Sequence, residues 1–190
     1  MDSGQHAPEG RVSFTHSVIS FLVMLVIVLG CAWLIRSYVI APYEIPSSSM
    51  ETTIMTDDKV FSEKVSYYAR SVQPGDIVTF QDPEVSNRTL IKRCIAIGGQ
   101  TVDLRDGVVY VDGQALSEPY TNALPSYPLQ TAFNVQISYP YTVPDGYLWM
   151  MGDNRTNSAD SRYFGAVPES SVTGRGCFIY WPLNHFGVLK

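Results

Sequence analysis

The dominant feature of the hydropathy pattern is an uncharged apolar run from Val18 to Ile35. As a helix it extends about 27 Å, close to the roughly 30 Å hydrocarbon core of a bilayer. Arg36 stands at its far end, where a long stem can snorkel toward water. A cleavable signal peptide is the competing interpretation, because Val39, Ile40 and Ala41 loosely imitate a small-residue cleavage site. The run is longer than an ordinary signal-peptide core, however, and Pro42 would follow the scissile bond. A retained anchor over residues 18–36, preceded by a tail at 1–17, is the preferred expectation.

Beyond the anchor the pattern changes to short apolar runs separated by turn residues, which predicts β structure. Ile77 to Phe80 follows Gly75 and Asp76, and Leu90 to Ile97 is bounded by Gly98 and Gly99. Val108 to Val111 lies between Asp106-Gly107 and Asp112-Gly113, the composition of a meander with tight hairpin turns. Proline, tyrosine and asparagine accumulate between Ser117 and Asp145, so an irregular excursion or inserted subdomain is expected at about 105–145. Gly146 to Met151 and Cys177 to Trp181 return to strand patterns. Strand alternation in the second run puts Leu90, Lys92, Cys94 and Ala96 on one face and Ile91, Arg93, Ile95 and Ile97 on the other.

Composition narrows the class. The 190 residues, less the anchor, suffice for one domain with a true core at 37–190. A net charge of -5 with no basic cluster leaves no footprint for nucleic acid. Cys31, Cys94 and Cys177 form no CxxC pair, so neither a zinc site nor a dense disulfide framework is indicated, and buried free thiols are expected at Cys94 and Cys177. No cofactor is implied. Arg11 and Arg36 flank the apolar run symmetrically, so charge does not set its orientation.

Histidine is scarce. His6 and His16 precede the apolar run, and His185 sits in a C-terminal stretch that reads as loop, so a serine, histidine and aspartate triad has one candidate imidazole. Ser47, Ser48, Ser49 and Met50 follow the anchor, and a lysine, Lys92, sits among apolar neighbours in a strand. An ordinary lysine is only about 0.04 % neutral at pH 7, and burial lowers its pKa enough to make it a usable base. Each feature also has a plainer reading: Lys92 as a snorkelling edge residue, Ser48 with Glu51 as a capping box that starts a helix. A helix start beside a serine also offers free N–H groups to an oxyanion.

A third segment, Gly152-Asp153-Asn154-Arg155-Thr156-Asn157-Ser158-Ala159-Asp160-Ser161-Arg162-Tyr163-Phe164-Gly165, is dense in groups able to form a fixed hydrogen-bond network. With these motifs in this order, from Ser37 to Trp181, the chain resembles the bacterial type I signal peptidases, membrane-anchored serine and lysine endopeptidases. The resemblance implies a mainly β catalytic core with an inserted irregular or β subdomain behind one transmembrane helix. It implies Ser49 as nucleophile, Lys92 as general base, and the Ser47 hydroxyl with the Ser49 N–H as oxyanion hole. It assigns Ser158 to orienting the lysine amine, pairs Asp160 with Arg162 and Arg93 with Asp153 as support, and places Tyr43, Ile45, Met50, Leu90 and Ile91 along the substrate cleft.

The implied partners are preproteins with signal peptides, membrane lipid and the export translocon, with the N-terminus cytoplasmic and the catalytic domain outside. Two departures stand out: Thr52-Thr53 stands where the family usually has proline and threonine, so that Thr52 takes the place of the proline, and Ala96-Ile97-Gly98-Gly99-Gln100 replaces its usual continuation after the lysine and arginine. A dedicated single-substrate processing peptidase of the same family, and an inactive tethered binding module, stay open as alternatives.

Overall fold

The computed structural model describes residues 14–190. A helix, α1, runs from Phe14 to Tyr38, longer at both ends than the anchor expected from the apolar run. Residues 14–17 of the expected tail belong to it, and 1–13 lie outside the described residues. Its 25 residues span about 37 Å at 1.5 Å per residue. It buries none of its side chains, and its length and mean hydropathy of 2.9 are sufficient to cross a membrane. The described residues divide into two compact units, 14–37 and 38–190.

The second unit is mainly β. Its strands are β1 (Ile40–Glu44), β2 (Lys59–Glu63), β3 (Ile77–Gln81), β4 (Thr89–Ile97), β5 (Thr101–Arg105), β6 (Val108–Val111), β7 (Gln114–Ala115), β8 (Tyr141–Thr142), β9 (Tyr147–Met151), β10 (Val167–Pro168), β11 (Val172–Trp181) and β12 (Gly187–Val188). One antiparallel sheet has the order β1-β2-β11-β3-β4-β9-β10, with β12 added to β11. A second sheet, β7-β6-β5-β8, accounts for the expected insertion but begins at Thr101.

The second sheet is held to the first by a shared core. Ile95, Ala96, Trp149 and Met151 from β4 and β9 pack with Val102, Val109 and Val143. Its hairpins form where the sequence predicts them. Arg105 pairs with Val108 across Asp106-Gly107, and Val111 with Gln114 across Asp112-Gly113. All four turn residues have positive φ, as a two-residue turn that follows the strand twist requires.

The sequence pattern misses strands whose buried positions are polar. β2 buries Val60 and Ser62, and Ser62 bonds Thr79 at 2.7 Å, so hydrogen bonding stands in for an apolar repeat. β11 starts five residues before the apolar run at Cys177, because Gly174 and Gly176 let it lie close against β2 and β3. In β4 the expected alternation holds only to Cys94. The pairing with β9 slips between Cys94 and Ala96, a β-bulge that turns the later side chains over. Ile97 therefore packs with Leu90 and Cys94, and Ala96 joins Ile95 against the second sheet. Lys92 precedes the bulge and keeps its expected position. Cys94 is buried and Cys177 half-buried, each a free thiol.

The two hairpin glycines differ in surroundings. A Cβ on Gly107 (φ +81°) would come within 2.9 Å of the Pro125 side chain, whereas one on Gly113 (φ +78°) would meet open space. Gly113→Ala is expected to cost about 1 kcal/mol of unfolding free energy from backbone strain alone, and Gly107→Ala about 2–3 kcal/mol. Thermal unfolding of the two variants checks this, and equal losses would show that the contact with Pro125 contributes nothing.

Candidate active site

The three sequence motifs meet at one place in the second unit. Ser49 lies in a single 3-10 turn, Ser48–Met50, that follows β1 after Ile45 and Pro46. The turn is capped by Ser47 without a side-chain bond, so the capping box between Ser48 and Glu51 does not form. Met50 anchors the turn from below, fully buried with Ile45, Ile54, Val60 and Ile91. From above, the segment after β9 grips it. Asn154 N–H donates to the Ser49 carbonyl at 3.1 Å, Asn154 Nδ2 to the Ser48 carbonyl at 3.0 Å, and Asn157 Nδ2 to Ser48 Oγ at 2.7 Å.

Lys92 reaches the turn from β4. The strand lies inside the sheet, paired with β3 through Lys92 and with β9 from Arg93 onward. Lys92 is 3% exposed, and its Nζ is hydrogen-bonded to Ser49 Oγ at 2.5 Å. Ser47 Oγ lies 3.4 Å from Ser49 Oγ.

Burial drives the Lys92 pKa down from 10.5 to about 8, opposed by the carboxylates of Asp160, Asp153 and Asp82 and helped by Arg88. The three carboxylates do not bring the pKa back to its ordinary value, each being bound elsewhere. Asp160 makes a two-pronged pair with Arg162 (2.9 and 2.8 Å), Asp153 one with Arg93 (2.9 and 2.7 Å), and Asp82 binds Arg88 and the N–H groups of Glu84 and Val85. Among the described residues Lys92 makes no ion pair.

Both supporting pairs predicted from the sequence are thus formed, and each does more than neutralise charge. Asp160 also accepts the Gly152 N–H at 3.1 Å, and Asp153 accepts the Thr53 hydroxyl from the chain just beyond the nucleophile turn. Ser158 departs from its expected role. Its Oγ is buried without a hydrogen-bond partner and makes no bond to Lys92. It packs instead over Gly152, where a Cβ would strike both the Ser158 hydroxyl and the Ser49 carbonyl. Glycine at 152 is what lets these two groups approach.

A cleft of about 380 Å³ opens beside the pair, lined by Tyr43, Ile45, Ser47, Ser48 and Ser49 on one side and Thr89, Leu90, Ile91 and Lys92 on another. Tyr43, Ile45, Leu90 and Ile91 line it. Met50 does not: it is core, because the 3-10 turn that presents Ser49 to the cleft points the next side chain inward. His185 is outside the cleft as well, its Nδ1 hydrogen-bonded to the buried Asp58 at 2.8 Å, so this imidazole does not serve Ser49.

Sequence reasoning named Asn154, Arg155, Asn157 and Thr53 without giving them a role, and passed over Glu118. Arg155 is buried and binds both oxygens of Glu118, Ser126 Oγ at 2.7 Å and the Gly152 carbonyl at 3.0 Å, tying the 118–126 stretch to the closing segment. The only signal for it was the density of polar residues around position 155.

Keeping Lys92 here carries a cost in stability. Its folded-state pKa of about 8 lies below the ordinary 10.5, so the unfolded chain holds more protons between these values. Wild-type stability therefore rises as pH climbs from 8 toward 10.5. Lys92→Met is expected to stabilise the protein by up to about 3 kcal/mol at pH 7, with a gain that shrinks over that window. Unfolding measured at pH 7 and pH 10 checks it, and a gain independent of pH would rule out the charge as its source.

Residues 18–181 match the family model described as signal peptidase, peptidase S26. The chain is 39% identical over 173 residues to a probable signal peptidase I-1 of Synechocystis sp., covering 87% of this chain and 84% of that protein. It is 32% identical over 177 residues to signal peptidase I S of Bacillus subtilis, covering 92% of this chain and 95% of that one. The crystal structure of a signal peptidase I from Enterococcus faecalis V583 is 34% identical, with a TM-score of 0.44 over 56% of this chain and 97% of that chain. A model matched along most of the sequence, and relatives above 30% identity over nearly their full length, establish that this chain belongs to the signal peptidases of peptidase family S26.

Proposed function

We propose that this protein removes N-terminal signal peptides from exported preproteins, with Ser49 as nucleophile and Lys92 as general base. The observation that carries the reading is the 2.5 Å contact between a serine hydroxyl and a buried amine that lacks a carboxylate partner, at the wall of an apolar cleft. With a pKa of about 8, roughly a tenth of the amine is neutral at pH 7, more than about two hundred times the fraction of an ordinary lysine. The neutral amine takes the Ser49 proton as Oγ attacks the scissile carbonyl, giving an acyl-enzyme. The resulting ammonium protonates the departing amine, and the regenerated base activates water for deacylation.

The oxyanion is held by the Ser49 N–H, at the start of a helical turn where such groups have no intrahelical acceptor, and by the Ser47 hydroxyl. Substrate lies extended between the end of β1 and the start of β4. β1 is an edge strand, paired only with β2, so its outer side is available to a peptide backbone. Tyr43, Ile45, Leu90 and Ile91 then offer the small apolar pockets that alanine-like residues before the bond fill. Helix α1 is the retained anchor, and since preproteins emerge on the outer face of the membrane, the catalytic unit faces outward with the N-terminus in the cytoplasm. Membrane lipid and the export translocon are the partners that this placement brings near.

Ser49→Ala and Lys92→Arg are each expected to lower kcat/KM for preprotein cleavage by at least about a thousandfold. In the wild type, kcat/KM rises close to tenfold per pH unit below about 8 and levels off above it, as the base loses its proton. Steady-state cleavage of a purified preprotein from pH 6 to 10 checks both. Substantial turnover by Lys92→Arg would remove lysine from the mechanism.

A further inference from the structure

Arg93 follows the base in β4 and is 2% exposed. Besides Asp153 it binds the carbonyls of Gly75 and Lys190 at 3.0 and 3.1 Å, so each nitrogen of its guanidinium is engaged. Its face is not left bare. The guanidinium carbon lies 3.9 Å from the ring centroid of Tyr120, and that of Arg155 lies 5.9 Å from the same centroid.

Tyr120 belongs to a 3-10 turn, Pro119–Thr121, at the start of the excursion between β7 and β8. Its hydroxyl donates to Glu118 at 2.8 Å, the carboxylate that also binds Arg155. Its main-chain carbonyl accepts the Thr52 hydroxyl at 2.5 Å, three residues beyond the nucleophile. One residue from the excursion thus touches the arginine beside the base, the ring's second arginine in the closing segment, and the chain leaving Ser49. It does not line the cleft.

The two-pronged pair of Arg93 with Asp153 requires the guanidinium plane to hold one orientation, and an aromatic face is the surface that fixes a plane without competing for its N–H groups. We propose that Tyr120 is a positioning residue for peptide-bond cleavage: its ring holds the Arg93 guanidinium against Asp153 while its carbonyl holds Thr52, so the excursion sets the base strand and the nucleophile turn in register. This rests on the assignment of Ser49 and Lys92 above.

The test uses the full-length enzyme in detergent with a purified preprotein. Tyr120→Leu is expected to lower kcat about tenfold or more with KM within about twofold, since a loss of this size follows from one desolvated cation–π contact and a misplaced reacting pair. The rising limb of its pH profile moves to higher pH, because Asp153, less fully neutralised, favours the ammonium form of Lys92. Tyr120→Phe, which keeps the ring, restores kcat and the profile to within about twofold of wild type.

Wild-type kcat and pH profile in a folded Tyr120→Leu would overturn the proposal while leaving the Ser49 and Lys92 assignment standing. A fall in kcat shared equally by Tyr120→Phe would also overturn it, by locating the effect in the hydroxyl. Should Tyr120→Leu not fold, Tyr120→Met replaces it, and failure of both would make Tyr120 part of the framework and sink the positioning role. Turnover by Lys92→Arg measured alongside identifies the separate case in which the underlying assignment fails.

Discussion

An amine sealed from water, with every nearby carboxylate already bound by an arginine, is the condition on which the site depends. Lysine is the wrong residue for a base unless its charged form is made costly, and burial alone does not suffice in a setting this acidic. Asp153, Asp160 and Asp82 each favour the ammonium. Their pairing with Arg93, Arg162 and Arg88 leaves the Ser49 hydroxyl as the only partner of Lys92 among the described residues.

The same pairs also supply geometry. Asp160 fixes the Gly152 N–H, Asp153 fixes Thr53, and Asn154 and Asn157 clasp the 3-10 turn that carries Ser49. Removing a single member of such a buried network leaves charge or polar atoms unsatisfied, which is why arginine and aspartate recur here at positions that an apolar core would otherwise fill. Gly152 is the steric counterpart of these bonds, since a side chain there would strike both the Ser158 hydroxyl and the Ser49 carbonyl. The excursion between β7 and β8 takes part as well, reaching back through Glu118 and Tyr120 to the segments around the proposed dyad.

The separate strands and hairpins that carry the site were legible because their chemistry is local. Val108–Val111 between two aspartate-glycine turns needs no distant contact to be recognised, and the apolar run of α1 is visible by length alone. Strands β2 and the first half of β11 were not legible, because Ser62 and Gly174 are buried through partners more than a hundred residues apart in the chain in one case, Gly174 against Ser62 itself. Likewise, Met50 reads as a neighbour of the nucleophile and therefore of the cleft, yet the direction of one tight turn consigns it to the core.

By itself the sequence determined the motifs and their order, since residue type and spacing carry that information, while the dyad and the two supporting ion pairs were read from the family resemblance those motifs carry. Tertiary structure alone decided that the carboxylates are engaged by arginines rather than by Lys92, that Ser158 packs over Gly152 without bonding the amine, and that a bulge after Cys94 puts Ala96 beside Ile95 against the second sheet and returns Ile97 to the side of Leu90 and Cys94. The physical reason is common to all three: charge state, hydrogen-bond choice and strand register depend on which groups meet across the fold, and those distances are set only when the sheets have packed.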